Sequence, residues 1–169
     1  LQVKSSDSLD KTAYRVPTFE EILKLCKDKI YIYIDFKNAS ASVTYAILKK
    51  YGMEKQVLVY INGIQQFIDW RHVAPNMPLM FSLPNSVKDE EGMKTFINQV
   101  KPDILDGSWK KYTKAMLQFA NEQNIPVWPD IQSKDEDKDW DAAIAIGLKG
   151  MQTDHPAALI KYLEETGLR

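Results

Sequence analysis

The feature that most constrains this sequence is a regular alternation of short apolar runs with longer amphipathic stretches. The runs are rich in β-branched and aromatic residues, which is typical of buried strands. The amphipathic stretches between them have the spacing of helices, and strands that alternate with helices favour a parallel α/β sheet. Six strands are predicted, at residues 30–36, 57–61, 79–83, 103–105, 127–131 and 150–153.

The spacing of these strands gives a repeat of roughly 24 residues per strand and helix unit. A closed eight-stranded β/α barrel at that repeat would need roughly 190 residues. The chain has 169 residues, which is about two strands fewer. We therefore predict a partial TIM-type barrel of about six parallel strands that lacks the first two, built as one domain over residues 1–169.

Charge and cysteine content narrow the possible functions. The 22 basic and 23 acidic residues are nearly balanced and form no basic stripe, so nothing points to a nucleic-acid partner. No stretch approaches the roughly 18 uncharged apolar residues of a membrane span. Cys26 is the only cysteine, which excludes an internal disulfide and a thiolate zinc cluster.

One strand ends in two opposite charges. Alternation along residues 30–37 places Asp35 and Lys37 on the same face, at the carboxyl end of an apolar strand. Active sites of β/α folds lie at that end of the sheet. A purely structural ion pair would explain the same spacing, so the residues alone leave both interpretations open.

Polar residues follow the other predicted strands as well. Parallel strands bring their carboxyl ends to one edge, so these side chains would line one mouth, with Trp128 as an apolar wall. Each of them alone could instead cap a loop or helix, and Asp154 resembles a helix N-cap. His72 and His155 form no metal-binding or triad pattern with each other. The polar residues are Asn62, Ser82, Asp106, Asp130, Gln132 and Asp154.

Four ordered segments resemble the glycerophosphodiester phosphodiesterase family. Residues 16–21, VPTFEE, are similar to its VPTxEE helix, and Asp35-Phe36-Lys37 is similar to its E-x-K strand. Val127-Trp128 is similar to its late tryptophan strand, and residues 150–156, GMQTDHP, are similar to its closing G-x-x-TDxP. The order and spacing of these four segments span nearly the whole chain, from residue 16 to residue 156.

The resemblance implies a barrel that hydrolyses a small phosphodiester with a divalent cation, Ca²⁺ or Mg²⁺. It implies that Asp35 is a metal ligand, that Lys37 is a catalytic residue near the phosphate, and that Trp128 packs at the substrate mouth. Asn62, Asp106 and Asp130 are predicted to bind substrate from the same mouth. This chemistry is physically coherent, because a hard cation prefers carboxylate oxygens and a phosphodiester transition state needs positive charge.

The chain departs from the family at its first motifs. HRG, the E-x-D metal ligands and the HD dipeptide, which supply the acid and base histidines, are not in this sequence. Residues 8–12, SLDKT, could align with the LDRTT that follows HD, but Ser5-Ser6 would then replace the catalytic pair. We prefer to interpret residues 1–15 as the tail of an insertion. Asp35 is also one methylene shorter than the usual Glu.

Two functions follow as hypotheses. The first is a metal-assisted phosphodiesterase whose complete form is active, while this chain alone is inactive. The second is a non-catalytic module that binds a small phosphorylated or polyol ligand. HRG and HD motifs encoded before Leu1 would favour the enzyme, and a start codon there would favour the module. Six strands also leave two sheet edges open, so we predict that self-association or a further chain segment covers them.

Overall fold

A computed structural model describes residues 2–3, 14–131, 133 and 135–169. Gln132 lies outside the described residues. So does most of the segment 1–15, interpreted above as the tail of an insertion, including Ser5 and Ser6. A short antiparallel pair precedes the main fold, and the other elements alternate between helix and strand. In chain order the elements are β1 (Gln2–Val3), β2 (Tyr14–Arg15), α1 (Phe19–Cys26), β3 (Ile32–Phe36), α2 (Ala41–Tyr51), β4 (Val57–Ile61), α3 (Ile64–Val73), β5 (Leu79–Ser82), α4 (Glu90–Val100), β6 (Ile104–Asp106), the 3₁₀ helix Trp109–Lys111, α5 (Lys114–Glu122), α6 (Glu136–Ala145) and α7 (Pro156–Glu165).

The main sheet is parallel, with strand order β3-β4-β5-β6. Its register aligns Asp35 with Tyr60 on the neighbouring strand, and Ser82 with Asp106. The alternation of strands and helices matches a partial TIM-type barrel, as predicted. No helix of the described ranges is long and apolar enough to cross a membrane.

The last two predicted strands are reduced to isolated bridges. Parallel bridges join Leu105 to Val127 and Asp130 to Gln152, but no continuous ladder forms there. The sequence gives the reason, since Pro126 and Pro129 lack the N–H that a ladder needs at these positions. The sheet therefore has four regular strands, where the sequence predicted about six. Two irregular segments in strand-like positions come after β6.

Local signals set the helix boundaries. Thr18 and Glu21 form a capping box at the start of α1. Gly147 has a positive φ of 107° after α6, in the left-handed region that favours glycine. Asp154 is not the N-cap of α7 as predicted, because His155 holds that position, while the backbone N–H of Asp154 donates to buried Glu136.

The two faces of the sheet differ in character. Alternate residues of β3 to β6 pack against the helices in two apolar clusters, one around α1 to α3 and one around α4 to α7. The residues between them point to the opposite, concave face. Near the carboxyl ends of the strands that face carries polar groups, which positions the candidate site described below.

Candidate phosphate-binding site on the concave face

Lys37 and Asn62 meet at the carboxyl ends of the adjacent strands β3 and β4. Nζ of Lys37 donates a hydrogen bond of 3.1 Å to Oδ1 of Asn62 and lies 2.7 Å from Oδ1 of Asp35. The Asn62 amide donates to Asp35 at 3.3 Å and to the Phe36 carbonyl at 2.7 Å. The sequence prediction that these three side chains converge is therefore met in the structure.

The loop that carries Lys37 is held from α3. The side-chain amide of Gln66 donates to the Lys37 carbonyl at 2.7 Å, and its carbonyl oxygen accepts from the Asn62 N–H at 2.8 Å. These bonds fix the backbone of both strand ends, while the Lys37 and Asp35 side chains stay exposed to solvent. Lys37 is thus a positioned ammonium that a dissolved anion can reach.

The charge pair shifts the ionisation of Asp35. The Lys37 ammonium donates a hydrogen bond to this carboxylate and holds the pKa of Asp35 below its usual value. Slight burial opposes the shift and the hydrogen bond from Asn62 adds to it. Asp35 is therefore an anion at neutral pH, with its Oδ1 committed to an ammonium and an amide.

The described residues do not fit the divalent cation that the family resemblance implies. The region of the chain that the structure describes contains no group of three or more His, Cys, Asp or Glu side chains arranged to hold a metal ion. Asp35 has an ammonium and an amide as its neighbours, where a metal site would supply further oxygen ligands. We therefore derive no chemical step through a metal.

Asp106 lies at the centre of the concave face and is buried, with 3% of its surface exposed. Its Oδ2 accepts from Ser82 at 3.0 Å, and its Oδ1 accepts from the Gln152 amide at 2.7 Å. The Tyr112 hydroxyl donates to the Asp106 carbonyl at 2.6 Å. Burial, together with the nearby Asp106 charge, raises the pKa of Tyr112. Asp106 therefore organises its neighbours and has little surface left to bind a ligand directly.

Asp130 belongs to the irregular segment 127–131, which lies next to β6 in space, and it is close to Asp106. Its N–H donates to the Gly107 carbonyl at 3.0 Å, which holds it in a strand-like position. Partial burial raises the pKa of this carboxyl, and the charges of Asp106 and Asp154 raise it further. The concave face thus carries an ion pair at Lys37 and Asp35 and a group of carboxyl side chains around Asp130.

The Trp128 side chain packs away from the polar cluster. Its indole lies against Gly150, where an added Cβ would come within 2.6 Å of Nε1. The same tryptophan lines a cavity of about 240 Å³ between the loops that follow α5 and α6, at the opposite end from Lys37. Trp128 joins the polar network only through its carbonyl, which accepts from Gln152 at 2.9 Å. Its role as a substrate wall stays a prediction.

Two members of the concave face were not singled out from the sequence, Tyr60 and Gln152. Tyr60 could have been found by the period-two rule, since it lies two positions before Asn62 on the same strand. The Tyr33 and Tyr60 rings stack with their centroids 6.0 Å apart. Gln152 carries no comparable local signal, because its partner Asp106 is 46 residues away.

Comparison with known proteins gives matches at the level of structure. No protein-family model matches the chain, and no curated protein matches it. A protein from Silicibacter pomeroyi assigned as a glycerophosphoryl diester phosphodiesterase superposes with a TM-score of 0.76 over 90% of this chain and 57% of its own, at 17% identity. A glycerophosphodiester phosphodiesterase from Parabacteroides distasonis gives 0.72 over 89% and 65%, at 15% identity.

A further structure, from Galdieria sulphuraria, is assigned to the same activity and gives a TM-score of 0.73 at 12% identity. It is matched over 88% of this chain and 64% of its own length. The chain thus spans less than two thirds of the length of these structures. Identities this low speak for the fold alone, and the chain has the fold of the glycerophosphodiester phosphodiesterases.

Proposed function

We propose that this chain provides the phosphate-binding part of a phosphodiester hydrolase that acts on glycerophosphodiesters. The observation that carries the proposal is the Lys37 ammonium, held with Asn62 at the carboxyl ends of two parallel strands in this fold. An exposed, positioned ammonium can donate hydrogen bonds to the phosphate oxygens and balance charge that develops on them during hydrolysis.

The acid and base groups for hydrolysis are not supplied by this arrangement. The chain has two histidines, His72 and His155. His72 lies in the last turn of α3, and exposed His155 precedes α7 and approaches Glu136. We therefore propose that the chain alone binds a phosphodiester without hydrolysing it, and that the family's histidine motifs would have to be supplied for turnover.

Binding can be tested with dimethyl phosphate, a minimal phosphodiester, by following amide shifts in NMR titrations. We expect Lys37→Met to weaken binding roughly 10- to 100-fold, the effect of losing a charge-assisted hydrogen bond. Lys29→Met is the matched control, because it removes an exposed lysine that lies before β3 instead of after it. Equal affinity of the wild type and Lys37→Met would refute the proposed site.

A second candidate is a binding module without catalytic activity. The pairing of Lys37 with Asp35 favours it, because the site is already balanced in charge without further catalytic groups. Assays with a glycerophosphodiester and Ca²⁺ or Mg²⁺ separate the candidates when the chain is joined to any HRG and HD segment encoded before it. Turnover then supports the enzyme, and binding without turnover supports the module. Full activity of the 169 residues alone would refute the need for the missing histidines.

A further inference from the structure

Three side chains from three adjacent strands form one hydrogen-bonded row across the concave face. The Tyr60 hydroxyl lies 2.8 Å from Oγ of Ser82, and Oγ of Ser82 lies 3.0 Å from Oδ2 of Asp106. Register explains the contact, because Ser82 pairs directly with Asp106 and Tyr60 lies on the strand next to Ser82. The row leads from the buried centre of the face toward Lys37.

The direction of each hydrogen bond in this row follows from counting hydrogens. A carboxylate can only accept, so Ser82 must donate its single hydroxyl hydrogen to Asp106. Ser82 then has no hydrogen left for Tyr60, and Tyr60 must donate its own to Ser82. The Tyr60 oxygen is left with lone pairs alone, so it can only accept a hydrogen bond from a ligand.

Gln152 fixes the other end of the row. Its side-chain nitrogen donates to Oδ1 of Asp106 at 2.7 Å and to the Trp128 carbonyl at 2.9 Å. Both amide hydrogens are thereby used, and turning the amide around would break both bonds. Each oxygen of Asp106 thus accepts a hydrogen bond, and Gln152 holds the carboxylate in place, so the polarity of the row is set by the fold.

Tyr60 lies beside the ammonium that would hold the phosphate. Nζ of Lys37 is 5.8 Å from the centre of the Tyr60 ring, and Asp35 is the register partner of Tyr60. The side chain is half-buried, with one face of its ring turned to Tyr33. A group next to a phosphate bound at Lys37 therefore comes within reach of the same tyrosine.

We propose that Tyr60 is a specificity-determining residue that accepts a hydrogen bond from a hydroxyl next to the bound phosphate, so that the site selects hydroxyl-bearing, polyol-type phosphates. The inference rests on the proposed function, because Lys37 must bind the phosphate first. It adds a choice between ligands that the ammonium alone cannot make, since every phosphate presents the same oxygens to Lys37.

The test compares two ligands, 2-hydroxyethyl phosphate, which can donate a hydrogen bond, and 2-methoxyethyl phosphate, which can only accept. Wild type should bind the hydroxyl ligand about fivefold more tightly, the effect of one neutral hydrogen bond. Tyr60→Phe should bring the two affinities together while the methoxy ligand keeps its wild-type affinity. Tyr33→Phe, the matched control on the stacked ring, should keep the preference.

Asp106→Asn tests the direction of the row without changing its shape. The new amide nitrogen should face Ser82, whose hydroxyl can rotate, because the other oxygen must still accept from the fixed Gln152 amide. Ser82 would then donate to Tyr60, and Tyr60 would become a donor toward the ligand. We expect the preference for the hydroxyl ligand to disappear although the Tyr60 oxygen remains in place.

The outcomes separate the inference from the function on which it rests. One outcome is that Lys37→Met weakens the binding of both ligands while Tyr60→Phe leaves the ratio of their two affinities unchanged. That result would overturn the role of Tyr60 and leave the proposed phosphate site standing. Failure of both ligands to bind, or binding that Lys37→Met does not weaken, would refute the phosphate site and the role of Tyr60 with it. If Asp106→Asn does not fold, Tyr60→Phe decides the question alone.

Discussion

Gly150 is the position where one added methyl group should most clearly disturb the packing around Trp128. A Cβ on this residue would lie 2.6 Å from Nε1 and 3.2 Å from Cγ of Trp128, whereas ordinary contacts begin near 3.4 Å. Cδ1 of Trp128 lies closer still to the added Cβ, so the indole or the backbone must move by about 1 Å. Overpacking of this kind costs about 1–3 kcal/mol. The cavity of about 240 Å³ beside Trp128 gives the indole room, which favours the lower half of that range.

The change can be measured by urea unfolding of Gly150→Ala, followed by circular dichroism. We expect the free energy of unfolding to fall by about 1–2 kcal/mol with an unchanged m-value. Gly63→Ala is the matched control, because nothing lies within 4 Å of its added Cβ and its φ of −167° is extended. That variant should lose less than about 1 kcal/mol, the cost of replacing the glycine N-cap of α3 by alanine.

A second substitution tests whether Trp128 is the cause. Trp128→Ala removes the whole indole, including the Cδ1 and Nε1 atoms nearest to the added Cβ, so the cost of Gly150→Ala should be smaller in the Trp128→Ala background than in wild type. This non-additivity is the signature of a direct contact. Equal costs in the two backgrounds, or a Gly150→Ala protein as stable as the Gly63→Ala control, would refute the reasoning.

Two further predictions concern strand β3 and helix α1. The pKa of Asp35, measured by NMR, should rise toward its ordinary value in Lys37→Met. In wild type the pKa of Asp35 is lower in the folded state than in the unfolded state. The stabilisation by this pair is therefore present above the unfolded-state pKa and is lost as pH falls through the folded-state pKa. An unchanged Asp35 pKa would contradict the pairing. Thr18→Ala should lower the free energy of unfolding by about 1 kcal/mol, since it removes the side chain that accepts from the Glu21 N–H, whereas Thr18→Ser should retain most of it.

The main elements could be predicted because their signals are local. The run of residues 57–61 is one strand in both sequence and structure, and Thr113 is the N-cap of α5. Period-two alternation also placed Asp35 and Lys37 together on the concave face. Helix and strand geometry repeats over a few residues, so helices, strands and helix caps can be predicted from neighbouring residues in the sequence.

The prediction failed where a strand depends on its partner. Residues 127–131 have a strand-like composition, yet Pro126 and Pro129 leave only isolated bridges to their neighbours. The direction of the Trp128 side chain was equally undetermined, because it depends on the absence of a Cβ at Gly150 on the next segment. Such features are set by contacts between segments more than twenty residues apart.

The sequence by itself determined the parallel α/β class, the helix caps and the charged strand end at Asp35 and Lys37. Tertiary structure alone decided that Asp106 is buried and that Ser82 and Gln152 both donate to it. The physical reason is that the polarity of a hydrogen-bonded row depends on which donors meet a carboxylate across several strands. Register and burial, which no local pattern encodes, place Tyr60 between Ser82 and Lys37.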